Sequence, residues 1–263
     1  MEKRAAIVTG GSSGIGLQTA ISLADSGCSV YTISRREFVY PGLTHVRADI
    51  TDEEAVLNAV RSIYDENGRI DILVCAAGFG ISGAIEYTEL KEAKKQFDVN
   101  FFGMVNADKA VLPYMRQQQS GRIVNVSSMA APAGIPFQAF YSASKAAIDS
   151  YTLALRNEIR QFGITACAVR PGDIATAFTD KREKSFDGDP EYNGLISGSV
   201  AKMEKDERNG MRPELAGKRI AEIALKKRVR PFYTIDFISG CETVLFSLLP
   251  SETANRIVGK MYS

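Results

Sequence analysis

Histidine is nearly missing from this chain: His45 is the single copy in 263 residues. One imidazole excludes a histidine-cluster metal site and any histidine-based nucleophilic triad within one subunit. His45 lies in Leu43-Thr44-His45-Val46, at the start of an apolar run, and reads as structural. Cysteine is sparse too. Cys28, Cys75, Cys167 and Cys241 stand far apart with no C-x-x-C pair, so zinc ligation is not expected and the thiols read as buried and reduced, in a cytoplasmic protein. No metal is expected. An excess of one charge is also lacking, since the formal net charge is +1, which argues against nucleic acid or an anionic membrane as the main partner. No run of 18 apolar residues occurs, so no integral membrane segment is expected. Met1-Glu2-Lys3-Arg4 leads straight into Ala5-Ala6-Ile7-Val8, too short an apolar run for a secretory signal. The stretch from Cys241 to Leu249 is the most apolar part of the C-terminus, but Glu242 and Pro250 limit it, and it reads as core or subunit contact.

What the chain does have is a regular alternation. Short β-rich runs are expected at Arg4–Thr9, Ser29–Ser34, Thr44–Ala48, Asp71–Ala76, Arg122–Val126, Ile164–Val169 and Val229–Thr234. They are apolar through the middle rather than alternating, the pattern of parallel strands covered on both faces. Helical patterns separate them: Ile15–Ser26 closed by Gly27, a capping-box start at Thr51-Asp52-Glu53-Glu54 running to Asn67, then Gln96–Gln118, Phe140–Phe162 and Pro213–Lys227. The reading is a single α/β domain over residues 1–263, a Rossmann-type doubly wound parallel sheet of about seven strands with helices on both faces. One charged, glycine-dotted stretch breaks the rhythm, and a lid is expected at about 178–211 with one or two short helices. A helical extension is expected at about 236–263.

Two local patterns carry chemistry. The first strand feeds Thr9-Gly10-Gly11-Ser12-Ser13-Gly14-Ile15-Gly16, which opens a helix. Glycines let the backbone turn and approach a pyrophosphate, and the helix N-terminus offers free N–H donors. Further along, Tyr141 and Lys145 stand four residues apart, with Ser128 thirteen residues before Tyr141. On a helix that spacing stacks a phenol and an ammonium on one face, and a nearby cation is expected to lower the phenol's pKa from about 10 towards neutrality. Ser127 is the neighbouring candidate, but the thirteen-residue offset favours Ser128. A second Y-x-x-x-K string, Tyr87/Lys91, has Val74 at that offset and reads as surface.

Together the G-x-x-x-G-x-G loop, Asn100, Ser128, Tyr141-Ser142-Ala143-Ser144-Lys145 and Pro171-Gly172, in this order, resemble the short-chain dehydrogenase/reductase family over about residues 4–235. The resemblance implies a hydride-transferring enzyme with Tyr141 as general acid in reduction, Lys145 lowering its pKa and bonding the nicotinamide ribose, Ser128 polarising the substrate carbonyl, and Asn100 holding a water that connects Lys145 to solvent. It implies a dinucleotide held by Gly10, Ser12, Ser13, Gly14, Ile15 and Gly16, with Asp49 and Ile50 at the adenine, Ala77 and Gly78 after the fourth strand, and Pro171, Gly172, Ile174 and Thr176 at the nicotinamide. Where the family usually has Asn-Asn-Ala-Gly, this chain has Cys75-Ala76-Ala77-Gly78, so hydrogen bonds that stiffen that sheet end should be missing. The end of the second strand reads Ser34-Arg35-Arg36 with no carboxylate at the ribose position, so NADP(H) is expected in preference to NAD(H). Glu37 follows immediately.

The substrate is less legible. Segments Phe79–Ile85, Met129–Phe140 and the lid would surround the reacting carbon, offering Phe79, Ile81, Met129, Pro132, Ile135, Pro136, Phe137, Phe178, Phe186, Tyr192 and Leu195. That lining suits a bulky apolar alcohol or ketone, with a hydroxysteroid as the leading expectation. A 3-oxoacyl thioester reductase is the alternative within the same chemistry, and an NADP(H)-sensing binding protein with vestigial activity is the alternative of another class. Family members pair through the helices matching Gln96–Gln118 and Phe140–Phe162, implying a homodimer or homotetramer.

Overall fold

The computed structural model describes residues 3–236, 239–240, 245 and 248–262. Seven parallel strands form one sheet: β1 (Ala5–Thr9), β2 (Ser29–Ser34), β3 (Leu43–Arg47), β4 (Ile72–Cys75), β6 (Gly121–Val126), β7 (Ile164–Arg170) and β9 (Phe232–Thr234), in the order β3-β2-β1-β4-β6-β7-β9. Short strands β5 (Ile81–Ser82) and β8 (Glu183–Lys184) pair separately. The chain runs outward from β1 to β3, then returns to β4 and runs the other way. That reversal opens a crevice beyond the carboxyl ends of β1 and β4, where open α/β sheets bind ligands.

Both faces of the sheet are buried, which explains why the strands read as continuous apolar runs. Ile7, Ile33, Leu73 and Ile123 pack on one face against α2 (Glu53–Asn67), α4 (Gly103–Gln118) and α5 (Ala139–Ile159). Val8, Val30, Val74 and Val124 pack on the other against α1 (Gly14–Asp25) and α8 (Pro213–Leu225). Fully burying such side chains contributes about 1.5–3 kcal/mol each. The expected single domain with helices on both faces is the fold observed.

Three local differences from the sequence reading have physical causes. The N-cap of α2 is Asp52, whose carboxylate accepts from the Ala55 amide at 3.0 Å. Thr51, expected to open a capping box, instead bonds Asp49 through both its amide (3.0 Å) and its hydroxyl (2.8 Å). The expected helix Gln96–Gln118 begins earlier, as α3 (Leu90–Phe97), and reaches α4 through a π-helical turn over Asp98–Phe102. In the expected lid, α6 (Phe178–Lys181), strand β8 and the fourteen-residue α7 (Leu195–Arg208) account for most of the order.

A last helix covers Ser251–Met261. The rest of the expected C-terminal extension lies partly outside the described residues, as does Cys241. Cys28, Cys75 and Cys167 are free and buried. No described helix is long and apolar enough to cross a membrane, and no described cluster of metal-ligating side chains could hold an ion.

Candidate active site

A cleft of about 1300 Å³ opens at the reversal point. Its floor is the turn from β1 into α1. Gly10 adopts φ +68° and packs so closely that a Cβ would stand 2.7 Å from the Ala77 Cα; a Cβ on Gly16 would lie 2.5 Å from the Gly10 carbonyl oxygen. Only glycine fits either place. Ser13 caps α1 with no side-chain bond, and the first turn carries no acidic residue, so the helix's free N–H groups and positive dipole end face the cleft uncompensated. That is the chemistry a pyrophosphate needs. Gly14, at φ +56°, faces the Thr176 side chain across the cleft at 3.8 Å from its would-be Cβ.

At one end of the cleft lie Arg35, Arg36, Asp49 and Ile50. The Arg35 guanidinium is 3.9 Å from the Asp49 carboxylate, and both are well exposed, so the pair is weak and the guanidinium remains available to an anion. Asp49 spends its other oxygen on Thr51. Ile50 is buried beneath Gly103, where a Cβ would come within 2.8 Å of it.

The other end holds the candidate catalytic side chains. Tyr141 and Lys145 lie on α5, beside Ser128 in the loop that follows β6. The Ser128 hydroxyl stands beside the Tyr141 phenol and lowers its pKa, and it accepts from the Ala130 amide at 3.0 Å. The Ser127 hydroxyl donates to the Lys145 carbonyl at 3.2 Å, whereas Ser128, at the thirteen-residue offset, stands beside the phenol. The Lys145 ammonium is buried, donates to the Val126 carbonyl at 2.9 Å and lies 5.7 Å from the Tyr141 ring centroid. Burial lowers its pKa to about 8, opposed by Asp149. The phenol departs from expectation. Burial pushes Tyr141 up to about 12; the Ser128 hydroxyl and Arg182 pull it down, while Glu207 and Asp173 push it up. The expected acidified tyrosine is therefore corrected to one that holds its proton, because desolvation outweighs the lowering by Ser128 and Arg182.

Asn100 sits in the π-helical turn, a distortion that often marks functional sites. It does not line the cleft. Its Oδ1 accepts from the Phe79 amide at 3.0 Å and its Nδ2 donates to the Phe79 carbonyl (3.0 Å) and the Ser144 hydroxyl (3.2 Å). Gln96, which the sequence reading passed over, adds a bond to the Phe79 carbonyl at 3.1 Å. The segment after β4 is thus clamped from behind, although the family's two asparagines are absent. Cys75, in place of the first, donates its thiol to Asp108 at 3.6 Å, and Asn125 donates to the other Asp108 oxygen at 3.2 Å. The sheet end is bonded by a different set of side chains from the one expected.

Of the residues expected to bind dinucleotide, Gly10, Ser12, Ser13, Gly14, Ile15, Gly16, Arg35, Arg36, Asp49, Ile50, Ala77, Gly78, Tyr141, Lys145, Pro171, Gly172, Ile174 and Thr176 all line this one cleft. The substrate end is more polar than expected. Phe79, Met129, Ile135 and Phe178 line it, but so do Lys95, Lys202, Asp206, Glu207 and Gln138. Ile81 is buried outside the lining, and Phe186 and Leu195 face solvent. Phe178 stands with its ring centroid 5.8 Å from that of Tyr141. Behind it, the buried Arg182 pairs with Glu207, which also accepts from Thr179 at 2.7 Å. No short motif announces these contacts, since they join positions 25 and 28 residues apart. His45 bonds Thr32 at 3.1 Å, away from the reactive group, and Tyr87 and Lys91 are exposed.

Comparison with known proteins agrees with this geometry. Residues 4–186 match the family described as short chain dehydrogenase. A 3-ketodihydrosphingosine reductase of Bacteroides thetaiotaomicron is 43% identical over 237 residues, covering 89% of this chain and 88% of the relative. A short-chain dehydrogenase from Streptomyces avermitilis superposes with a TM-score of 0.83 at 26% identity, over 97% of this chain and 98% of that one. A variant of ElxO solved with NADPH bound gives a TM-score of 0.75 at 25% identity, over 90% and 98%.

Proposed function

The chain belongs to the short-chain dehydrogenase/reductase family, and from that premise we propose that it is an NADP(H)-dependent ketone reductase acting on a long-chain ketone of the 3-ketodihydrosphingosine type. The observation that carries the reading is the convergence of Ser128, Tyr141 and the buried Lys145 ammonium at one end of a glycine-floored cleft. The similarity to a 3-ketodihydrosphingosine reductase supports the substrate class. Arg35 and Arg36, without a carboxylate at that strand end, support NADP(H) over NAD(H).

The cofactor, when bound, supplies a hydride to the ketone carbon. Gly10, Ser12, Ser13, Gly14, Ile15 and Gly16 would hold its pyrophosphate, and Pro171, Gly172, Ile174 and Thr176 the nicotinamide end. Tyr141, protonated at neutral pH, donates its proton to the ketone oxygen, and Ser128 steadies the charge that develops there. Lys145 stabilises the phenolate that remains. Asn100 fixes the Gly78–Phe79 wall beside that ammonium and completes the route by which a water would return the proton. Residues 178–211 act as the lid, with Phe178 excluding water over the phenol.

A hydroxysteroid fits the apolar side of the lining, but Gln138, Lys202, Asp206 and Glu207 favour a substrate with a polar head. The thioester alternative would need a basic patch for an acyl carrier, whereas Lys95 pairs with Glu183 and Lys202 with Asp206. The test is loss of NADPH absorbance with 3-ketodihydrosphingosine, a steroid ketone and a 3-oxoacyl thioester side by side. Fastest turnover of the first supports the reading, and turnover of either competitor alone overturns it.

A further inference from the structure

The helix α6 has only four residues, Phe178–Lys181, too few for its own backbone bonds to hold it in place. Yet it carries the ring that stands against Tyr141. Both of its side-chain anchors reach a single carboxylate. Glu207 on α7 accepts from the Thr179 hydroxyl on one oxygen, at 2.7 Å, and from the Arg182 guanidinium on the other. Arg182 is the first residue after the helix, and its side chain is buried.

Stability does not explain this ion pair. The Arg182 Nε and Nη1 groups are buried with no hydrogen-bond partner among the described residues, a penalty that a well-packed apolar pair would avoid. What the guanidinium does is back the ring. Its central carbon lies 5.6 Å from the Phe178 centroid, and that centroid lies 5.8 Å from the Tyr141 ring. Gly80 leaves the room for both side chains: a Cβ there would stand 3.1 Å from Phe178 Cζ and 3.5 Å from Arg182 Nε.

The pair also acts on the phenol, in opposite senses. Arg182 favours the phenolate and Glu207 the protonated form, beside Ser128, which favours the phenolate, and Asp173, which opposes it. Lys145 lies towards the ring. We infer that Arg182 is a positioning residue: its ion pair with Glu207 latches α6 to α7, seats Phe178 on Tyr141, and balances the charge that the lid brings to the proton donor. This deepens the ketone-reductase reading and rests on it.

The experiment measures oxidation of the product alcohol by NADP+ at neutral pH, the direction that needs the phenolate. The reference is the double variant Arg182→Met with Glu207→Leu, which lacks both the latch and its charges. Glu207→Gln, which leaves a bare cation, should exceed the reference in kcat about threefold or more, and Arg182→Met, which leaves a bare carboxylate, should fall below it by a similar factor. A merely structural role would slow the three alike. Limited trypsin digestion after Lys181 and Lys184, which needs no turnover, should be faster in all three than in wild type. NADPH binding, followed by fluorescence, shows that the fold is retained; a single variant that fails to bind is replaced by Arg182→Gln or Glu207→Met, with the same direction expected. Equal kcat in the three variants, or digestion no faster than in wild type, overturns the inference and leaves the reductase intact. Wild-type protein that turns over neither ketone nor alcohol, yet resists trypsin better than the variants, overturns the reductase reading while the latch stands.

Discussion

The Lys145 ammonium donates to the Val126 carbonyl at 2.9 Å while lying 5.7 Å from the centre of the Tyr141 ring. It therefore lies towards the π-system while one of its donors is spent on the main chain, and burial pushes the phenol's pKa up to about 12. On the proposed reductase reading, the phenol carries the proton for the ketone oxygen at neutral pH, and the pH-sensitive member of the pair is the lysine.

That division fixes the sign of the pH profile. Burial lowers Lys145 to about 8, so the charged form dominates below that pH and is lost above it. The kcat/KM for NADPH-dependent reduction should hold near neutrality and fall as pH rises through about 8, with no limb from Tyr141 in the working range. A flat profile from pH 7 to about 10 would show that the lysine charge does not support the step.

Arg35 should discriminate between cofactors. Its guanidinium has only a 3.9 Å contact with Asp49 to give up, and charge-assisted hydrogen bonds contribute about 1.5–3 kcal/mol each. Arg35→Ala should raise KM for NADPH by about ten- to a hundred-fold and leave KM for NADH nearly unchanged. Equal effects on both cofactors would remove Arg35 from the phosphate site.

Asp108 should leave a mark on stability. Fully buried, its carboxyl is raised by desolvation from 3.8 to about 7, against hydrogen bonds from Asn125, Cys75 and Tyr151 that lower it. The native state thus binds a proton that the unfolded chain has released between about pH 4 and 7. Stability from this group is present at low pH and declines as pH rises through that window, by up to about 1.4 kcal/mol per pH unit. Urea unfolding of Asp108→Asn should show a flatter dependence between pH 5 and 7 than wild type. Parallel curves would mean that the carboxyl titrates near its ordinary value.

A patch on α3, the π-helical turn and α5 offers a further check. Leu90 and Phe102 are exposed and border a shallow hollow with Phe97 and Phe140, and Leu153 is exposed on α5. Phe102→Glu should convert the expected homodimer or homotetramer to monomer by size-exclusion chromatography, whereas an unchanged assembly would place the interface elsewhere.

Much of this was legible because the chemistry is local in sequence. Strand positions followed from β-branched runs buried on both faces, and the glycine turn and Tyr141–Lys145 from spacings fixed by helix geometry. The π-helical turn at Asp98–Phe102 was not legible, since it depends on Asn100 and Gln96 reaching back to Phe79. Nor was the raised phenol pKa, because spacing records the approach of a charge but not the depth of burial. The polar substrate end is assembled from α3, the N-cap of α5 and α7, far apart in sequence and joined only in the folded chain.

The most direct measurement follows product formation from 3-ketodihydrosphingosine with NADPH in wild type, Tyr141→Phe and Ser128→Ala. Wild type should form the alcohol; Tyr141→Phe should lose at least about a hundredfold in kcat and Ser128→Ala a comparable factor, both with NADPH affinity intact. Full activity in Tyr141→Phe would contradict the account, because the proton would then come from elsewhere.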